Sequence, residues 1–340
     1  MHPVLFEIPG LGIPIYSYGV MLGTSLILAW YVVMYLGAKE RIPENVLANC
    51  FIVTAVVAIA ASRVLYIITN PNEFDTLRDI IDVRRGGLVA YGGFLGGFFG
   101  AWGYLRYHRV PLLSFADVAA PTLALGLGLT RIGCYMYGCD FGAPLGEGAP
   151  EWLRTLGTFP HWENGQGSSA WQWHVQHYDL PRDAAHSLPV HPTQLYESLT
   201  GFLLLGFTLA IWRVRSFRGQ VLLSLAMAYG LWRFGIEYVR DDPERGEAFG
   251  FSTSQLISLA IVPLAAFFYM KQRKEQLEKP ERIARLGPPS TTTTTLEAAS
   301  GSLGALAEEP SAPLEPSPAA EVPTKAKSPI AATKKKKAKR

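Results

Sequence analysis

The chain has 340 residues, of which 49% are hydrophobic and 17% charged, with a formal net charge of +3 at pH 7 and a mean hydropathy of +0.15. That charge is too small to point to a nucleic-acid partner, which would require a concentrated basic surface. The average also understates the apolarity, because residues 276–340 are polar and dilute it.

Residues 1–17 lack a basic start, and no small-residue cleavage site is evident after the first apolar run, so the first span is expected to stay with the protein. Crossing a hydrocarbon core takes about 20 apolar residues. By that measure about seven stretches qualify, at 18–37, 46–68, 88–105, 112–129, 195–212, 221–239 and 254–270. The fourth is the weakest, being interrupted by Asp117, Pro121 and several glycines. Basic residues gather in the connections on one side: Lys39 and Arg41, Arg106 and Arg109, Arg213, Arg215 and Arg218, then Lys271, Arg273 and Lys274. The cytoplasmic bias of Lys and Arg puts the N-terminus outside and the C-terminus inside, and Arg78, Arg84 and Arg85 weaken that bias without reversing it.

The expected fold is therefore an all-α integral membrane protein. Residues 1–275 form the membrane domain, with an extracytoplasmic head inserted at 142–190. The head holds Trp152, Trp162, Trp171 and Trp173 with His161, His174, His177 and His186. Aromatics so close to membrane ends read as interfacial anchors; a head that covers the site or docks a protein substrate is the sharper alternative. His174 and His177 could share a helical face, but no further Cys or carboxylate spacing supports a metal there. From 276 to 340 the threonine run at 291–295, the repeated Pro, Ala and Ser, and the basic end cannot bury enough apolar area to fold. That segment is expected to be a disordered cytoplasmic tail, either solvated or touching anionic headgroups.

Four segments carry chemistry. In 86–100, glycines at 92, 96 and 100 leave one helix face bare, which permits close helix contact or backbone approach to a lipid headgroup with Tyr91 at the mouth. In 130–142, Arg131 offers a guanidinium fork suited to phosphate oxygens, or simply snorkels to the interface. Cys134 and Cys139, five apart, are poorly spaced for a disulfide in a regular helix, although Gly133 and Gly138 could bend the segment. A disulfide, two packed thiols and a catalytic pair all stay open, while Cys50 reads as core.

His191-Pro-Thr-Gln-Leu-Tyr-Glu197 reads as a helix start in which His191, Gln194 and Glu197 share a face, with His191 suited to act as a base near neutral pH. Last, Arg233 and Glu237 lie within the sixth span and Arg240 directly after it, at spacings of four and three that put all three on one helical face. Each costs about 2.5–3.5 kcal/mol at bilayer depth, so these charges need partners, and an anionic substrate would be one.

In order, Ser17-Tyr-Gly19, Tyr91-Gly-Gly93, Arg131-Ile-Gly133 running on to Gly142, His191 to Glu197, and Arg233 to Arg240 resemble the motifs of bacterial prolipoprotein diacylglyceryl transferases. The resemblance covers about residues 10–272. It implies a seven-span plasma-membrane enzyme with an outer head, using no cofactor and no metal. Such an enzyme moves the diacylglyceryl group of phosphatidylglycerol onto the lipobox cysteine of a prolipoprotein as a thioether and releases glycerol phosphate. Carried over residue by residue, the resemblance implies catalytic roles for Arg131, Arg233, Glu237 and His191. It implies substrate contacts from Tyr18, Tyr91, Gly92, Gly93, Arg131, Gly142, Gln194, Tyr196 and Arg240.

The chain departs from the family pattern in three places. Tyr91 stands where histidine is usual, Cys134 stands where asparagine is common, and Cys139 departs as well. The arginine framework is intact, so lipid binding follows more firmly than the identity of a base. Two other readings fit the same residues: a family member with another acceptor or no transfer, and a transporter whose buried charges form an ion path. No internal repeat supports the transporter.

Overall fold

Backbone N–H and C=O groups in an apolar surrounding must be satisfied within the chain, and long helices do this segment by segment. The computed structural model describes residues 3–10, 12–71, 87, 89–162, 167–241 and 246–278. The expected tail beyond 278 and the basic residues Arg78, Arg84 and Arg85 lie outside the described residues.

In chain order the elements are β1 (Val4–Ile8), β2 (Ile13–Tyr16), α1 (Ser17–Lys39), α2 (Glu44–Thr69), α3 (Ala90–Tyr107), α4 (Leu112–Tyr137), α5 (Glu151–Leu156), α6 (Ser169–His177), α7 (Thr193–Val214) and α8 (Gln220–Ile236). A 3-10 turn (Glu237–Val239), β3 (Glu247–Ala248), β4 (Phe251–Ser252) and α9 (Thr253–Glu278) complete the sequence. The chain is thus mostly helical rather than all-α, because β1 pairs antiparallel with β2 and β3 with β4.

Among the described residues, five helices are long and apolar enough to cross a membrane: α1, α2, α4, α7 and α9. Of the seven expected spans, the third and sixth fall short of that measure for separate reasons. The glycines, three tyrosines and Arg106 dilute the apolarity of the 18-residue α3. The predicted 221–239 span breaks at Glu237 into the 3-10 turn, which leaves α8 at 17 residues. The fourth span goes the other way. Its helix passes through Pro121 and runs on to Tyr137, closing at Gly138 in the left-handed conformation. Apolarity ends near residue 129, but the helix does not, because the polar side chains of its last turns find partners inside the protein.

Glycines set the closest packing, between α2 and α3. A Cβ on Gly92 would fall 2.6 Å from the Ala61 carbonyl oxygen, and one on Gly96 would meet the Ala61 side chain and lie 2.8 Å from the Val57 oxygen. Gly93, on another face, has nothing closer than 3.8 Å. Elsewhere α4 lies between α1 and α7, and α8 packs on α9. The Ser198 hydroxyl donates to the Gly128 carbonyl at 2.8 Å and fixes α7 against α4.

Asp117, which looked like a flaw in the fourth span, is fully buried. Its Oδ2 accepts the Gly219 N–H at 2.8 Å, and its Oδ1 accepts those of Val221 and Leu222 at 2.9 and 3.0 Å. A helix start leaves backbone donors without internal partners, and its dipole favours an anion there. The carboxylate in α4 therefore caps α8.

Phe159, Ala170 and Val190, among the described residues of 142–190, form a small core with Phe141, and Tyr135 of α4 packs against it. Trp173 packs against this core, and Trp171 is buried rather than interfacial, its indole N–H donating to the Ala184 oxygen at 2.8 Å. Trp152 stays exposed, as an anchor would. Backbone bridges between Pro144 and Val190 and between Gly142 and Arg240 close the segment beside the C-terminal end of α8.

Candidate active site

The four charged positions singled out in the sequence converge with two more. Glu197, one turn into α7, is fully buried. Its Oε2 lies 2.6 Å from Arg131 Nε and 3.4 Å from Arg240 Nη1, and its Oε1 lies 3.8 Å from Arg233 Nη1. Asp140, in the loop after α4, bridges the other sides of two of these guanidiniums, with Oδ2 2.7 Å from Arg131 Nη1 and Oδ1 2.6 Å from Arg240 Nη2. Arg233 pairs with Glu237 at 2.6 Å and donates to the Ser254 hydroxyl of α9 at 2.8 Å.

Three guanidiniums thus face three carboxylates. The partners that the sequence left open are supplied by the protein itself. Arg240 is not on the face of α8 as its spacing suggested, because the backbone there is already extended after the 3-10 turn. It reaches the cluster through its bridge with Gly142.

Local backbone explains how the loop is aimed. Asp140 adopts a positive φ of 57°, which aspartate tolerates better than most residues. The start of α7 clamps it: the Thr193 hydroxyl donates to the Asp140 carbonyl and Gln194 Nε2 to the Cys139 carbonyl, each at 2.6 Å. Burial alone would favour a neutral Asp140, but Arg131 and Arg240 hold its carboxyl well below the usual carboxylate range. A Cβ on Gly142 would sit 2.6 Å from the Val239 oxygen and 2.7 Å from the His191 Cβ, so this glycine serves close backbone approach. Gln194 likewise braces the loop from within.

The remaining expected residues divide. Tyr18 is beside the cluster, its ring against Gly133 on α4. Tyr91 is exposed on α3, with Gly93 open next to it and Gly92 consumed by helix packing. His191 is held at 3.3 Å from the Tyr196 hydroxyl, and partial burial lowers its pKa from the ordinary imidazole value. Neither His191 nor Tyr91 makes an ion pair or hydrogen bond with the arginines in the arrangement described. Cys134 and Cys139 are free thiols within reach of the cluster, Cys134 Sγ lying 4.0 Å from Arg131 Nη1 and Cys139 Sγ 3.7 Å from Asp140 Oδ2.

Sequence reasoning missed Asp140 and underrated Glu197. A carboxylate one turn into an apolar helix has the same need of a partner as an arginine at that depth, and this was the available signal for Glu197. Arg63 was missed as well; it is buried on α2, and its Nη1 donates to the Gly87 oxygen at 3.0 Å.

The two histidines considered for metal have other work. The His177 ring stacks on Trp173. His174 is buried, its Nδ1 accepts the Leu188 N–H at 3.2 Å, and burial lowers its pKa to about 4 although Asp241 opposes the shift. In the unfolded chain this imidazole takes up its proton near 6.5. Between those values the unfolded state binds more protons, so stability present above pH 6.5 drains away as pH falls toward 4. The loss should reach about 3 kcal/mol, since each pK unit is about 1.4 kcal/mol. Thermal unfolding in detergent should show this decline, and His174→Gln should flatten it; an unchanged slope in that variant would assign the acid sensitivity elsewhere.

Long apolar helices enclosing a guanidinium–carboxylate cluster define a helical membrane protein with a polar site suited to anionic chemistry. Residues 3–271 match the prolipoprotein diacylglyceryl transferase family, and the chain belongs to that family. A relative from Clostridium perfringens, named phosphatidylglycerol–prolipoprotein diacylglyceryl transferase 2, is 32% identical over 82% of this chain and 100% of its own length. Relatives named phosphatidylglycerol–prolipoprotein diacylglyceryl transferase from Clostridium tetani and Finegoldia magna are 30% and 27% identical, over 79% and 83% of this chain and 97% and 100% of their own. Membership makes the chain a transferase of lipoprotein biosynthesis.

Proposed function

We propose that this chain transfers the diacylglyceryl group of phosphatidylglycerol to the lipobox cysteine of prolipoproteins, forming a thioether and releasing glycerol phosphate. The observation that carries the reading is the convergence of Arg131, Arg233 and Arg240 on Glu197, with Asp140 bridging two of them. The acceptor sulfur attacks the glyceryl carbon bonded to phosphate, and the C–O bond breaks with its electron pair going to the phosphate oxygen. Charge develops on that oxygen, and donors fixed in advance stabilise it without reorganising. A guanidinium carries five N–H donors, so the carboxylates that orient Arg131 do not exhaust it. Tyr18 borders the site and meets the headgroup, and His191 with Tyr196 lies at its edge.

In this reading α3 and α8 also cross the bilayer, which gives seven crossings. The N-terminus and the 142–190 head face outward from a bacterial plasma membrane. Residues 1–275 are the membrane domain and 276–340 a cytoplasmic tail.

The test is reconstitution with phosphatidylglycerol vesicles and a lipobox peptide. A mass gain of one diacylglyceryl group on the cysteine peptide, absent for a serine peptide, is expected. No gain with active-site residues intact would refute the proposal, and solute flux without acceptor chemistry would favour a transporter.

A further inference from the structure

The scheme above gives no work to Cys134 and Cys139. Both thiols are free, and their sulfurs and an Asp140 carboxylate oxygen all lie within 4.8 Å of one another. Cys134 is buried in the last turn of α4, and Cys139 follows the turn at Gly138 that folds the chain back over it. We propose that Cys134, Cys139 and Asp140 bind one thiophilic divalent cation of the zinc type, whose fourth position takes the acceptor thiol. The cation site stands on geometry alone, whereas the thiol at its open position rests on the transferase reading.

The donor set argues for this class of ion. Two sulfurs and one carboxylate select a soft or borderline cation over magnesium or calcium. Three protein ligands leave one tetrahedral position open, the pattern of catalytic rather than structural zinc. Zinc–sulfur bonds of about 2.3 Å place neighbouring ligands about 3.5–3.8 Å apart, so the observed triangle closes with side-chain adjustments of about 1 Å.

The surroundings are already those of a metal site. Arg131 and Arg240 orient the Asp140 carboxylate, and each of its oxygens keeps a second lone pair. Thr193 and Gln194 hold the backbone carrying two of the three ligands. Charge also closes. The three guanidiniums are balanced by three carboxylates, and a divalent cation with two thiolates adds no net charge.

The site shares Asp140 and Arg131 with the arginine cluster, so a sulfur at the open position is held next to a phosphate bound there. A thiol that binds zinc gives up its proton to do so, which supplies a thiolate without a base side chain. This fits a chain in which His191 is engaged with Tyr196 and Tyr91 stands exposed on α3. The step balances without redox change. The sulfur loses its proton on binding and forms the S–C bond with its lone pair, the phosphate oxygen leaves with the C–O pair and takes up a proton, and the thioether, a poor ligand, departs.

The test uses the full chain in detergent, purified under reducing conditions, stripped with chelator and reloaded with Co2+ as a probe of the zinc position. One equivalent should bind with a sulfur-to-cobalt charge-transfer band. The band should be lost or halved in Cys134→Ser and Cys139→Ser and kept in Cys50→Ser. Adding a cysteine lipobox peptide without lipid should strengthen the band and shift the d–d absorption, and a serine peptide should do neither. Failure of wild-type protein to take up Co2+ overturns the proposal, as does a Cys134–Cys139 disulfide in protein purified without reductant. Uptake with no response to the cysteine peptide overturns the thiol position. Loss of transfer with the cobalt spectrum intact would sink the transferase reading and leave the cation site standing.

Discussion

Arg131→Ala is expected to lower diacylglyceryl transfer about 100- to 1,000-fold, the usual cost of removing one preorganised donor from a site where charge develops. Arg131 spans the cluster, with Nε on Glu197 and Nη1 on Asp140. Its loss would remove the phosphate donor proposed above and also release both carboxylates that face the other arginines. Arg131→Lys restores the charge but not the fork, and an ammonium cannot reproduce two fixed N–H directions to two carboxylates. The lysine variant should therefore recover only part of the rate. Transfer from labelled phosphatidylglycerol, measured alongside monodisperse elution in detergent, separates catalysis from folding. Alanine variants that elute normally and transfer within a few-fold of the parent would remove Arg131 from the chemistry.

The legible part of this protein was its polar residues in apolar surroundings. Arg233 and Glu237 announced a site because charge at that depth demands a partner, and the structure pairs them at 2.6 Å. The glycine spacing at 92, 96 and 100 announced close helix contact, and all three glycines meet α2.

What stayed hidden depended on positions distant in sequence. Asp117 read as an interruption because its three donors lie on a helix that begins about 100 residues later. Asp140 was masked by the cysteine beside it, and only the fold brings Arg240 across to it. Apolarity placed the ends of α1, α2 and α7 within two residues but misplaced the C-terminal ends of α4 and α8. Protein partners let α4 continue past its apolar stretch, while the 3-10 turn cut α8 short within one.

Glu197→Gln is expected to be the most costly isosteric change in the chain. The substitution keeps the volume of a fully buried side chain but removes the one negative charge that all three guanidiniums face. Breaking a buried ion pair from one side costs about 3–5 kcal/mol because it strands the opposite charge. By contrast, the exposed Lys274–Glu278 pair at 3.7 Å is worth about 0–1 kcal/mol.

The variant should melt earlier than the parent and lose transfer, since the amide has to be satisfied by donors that now repel one another. Adding Arg240→Gln removes one of the stranded charges. If the carboxylate holds the cluster together, the double variant should be more stable than the sum of the two singles by about 0.5–3 kcal/mol, the coupling expected of residues in contact. Additive losses would mean that Arg240 is not held by Glu197. A Glu197→Gln protein that melts with the parent and transfers at its rate would mean that the guanidiniums are set by something other than this carboxylate.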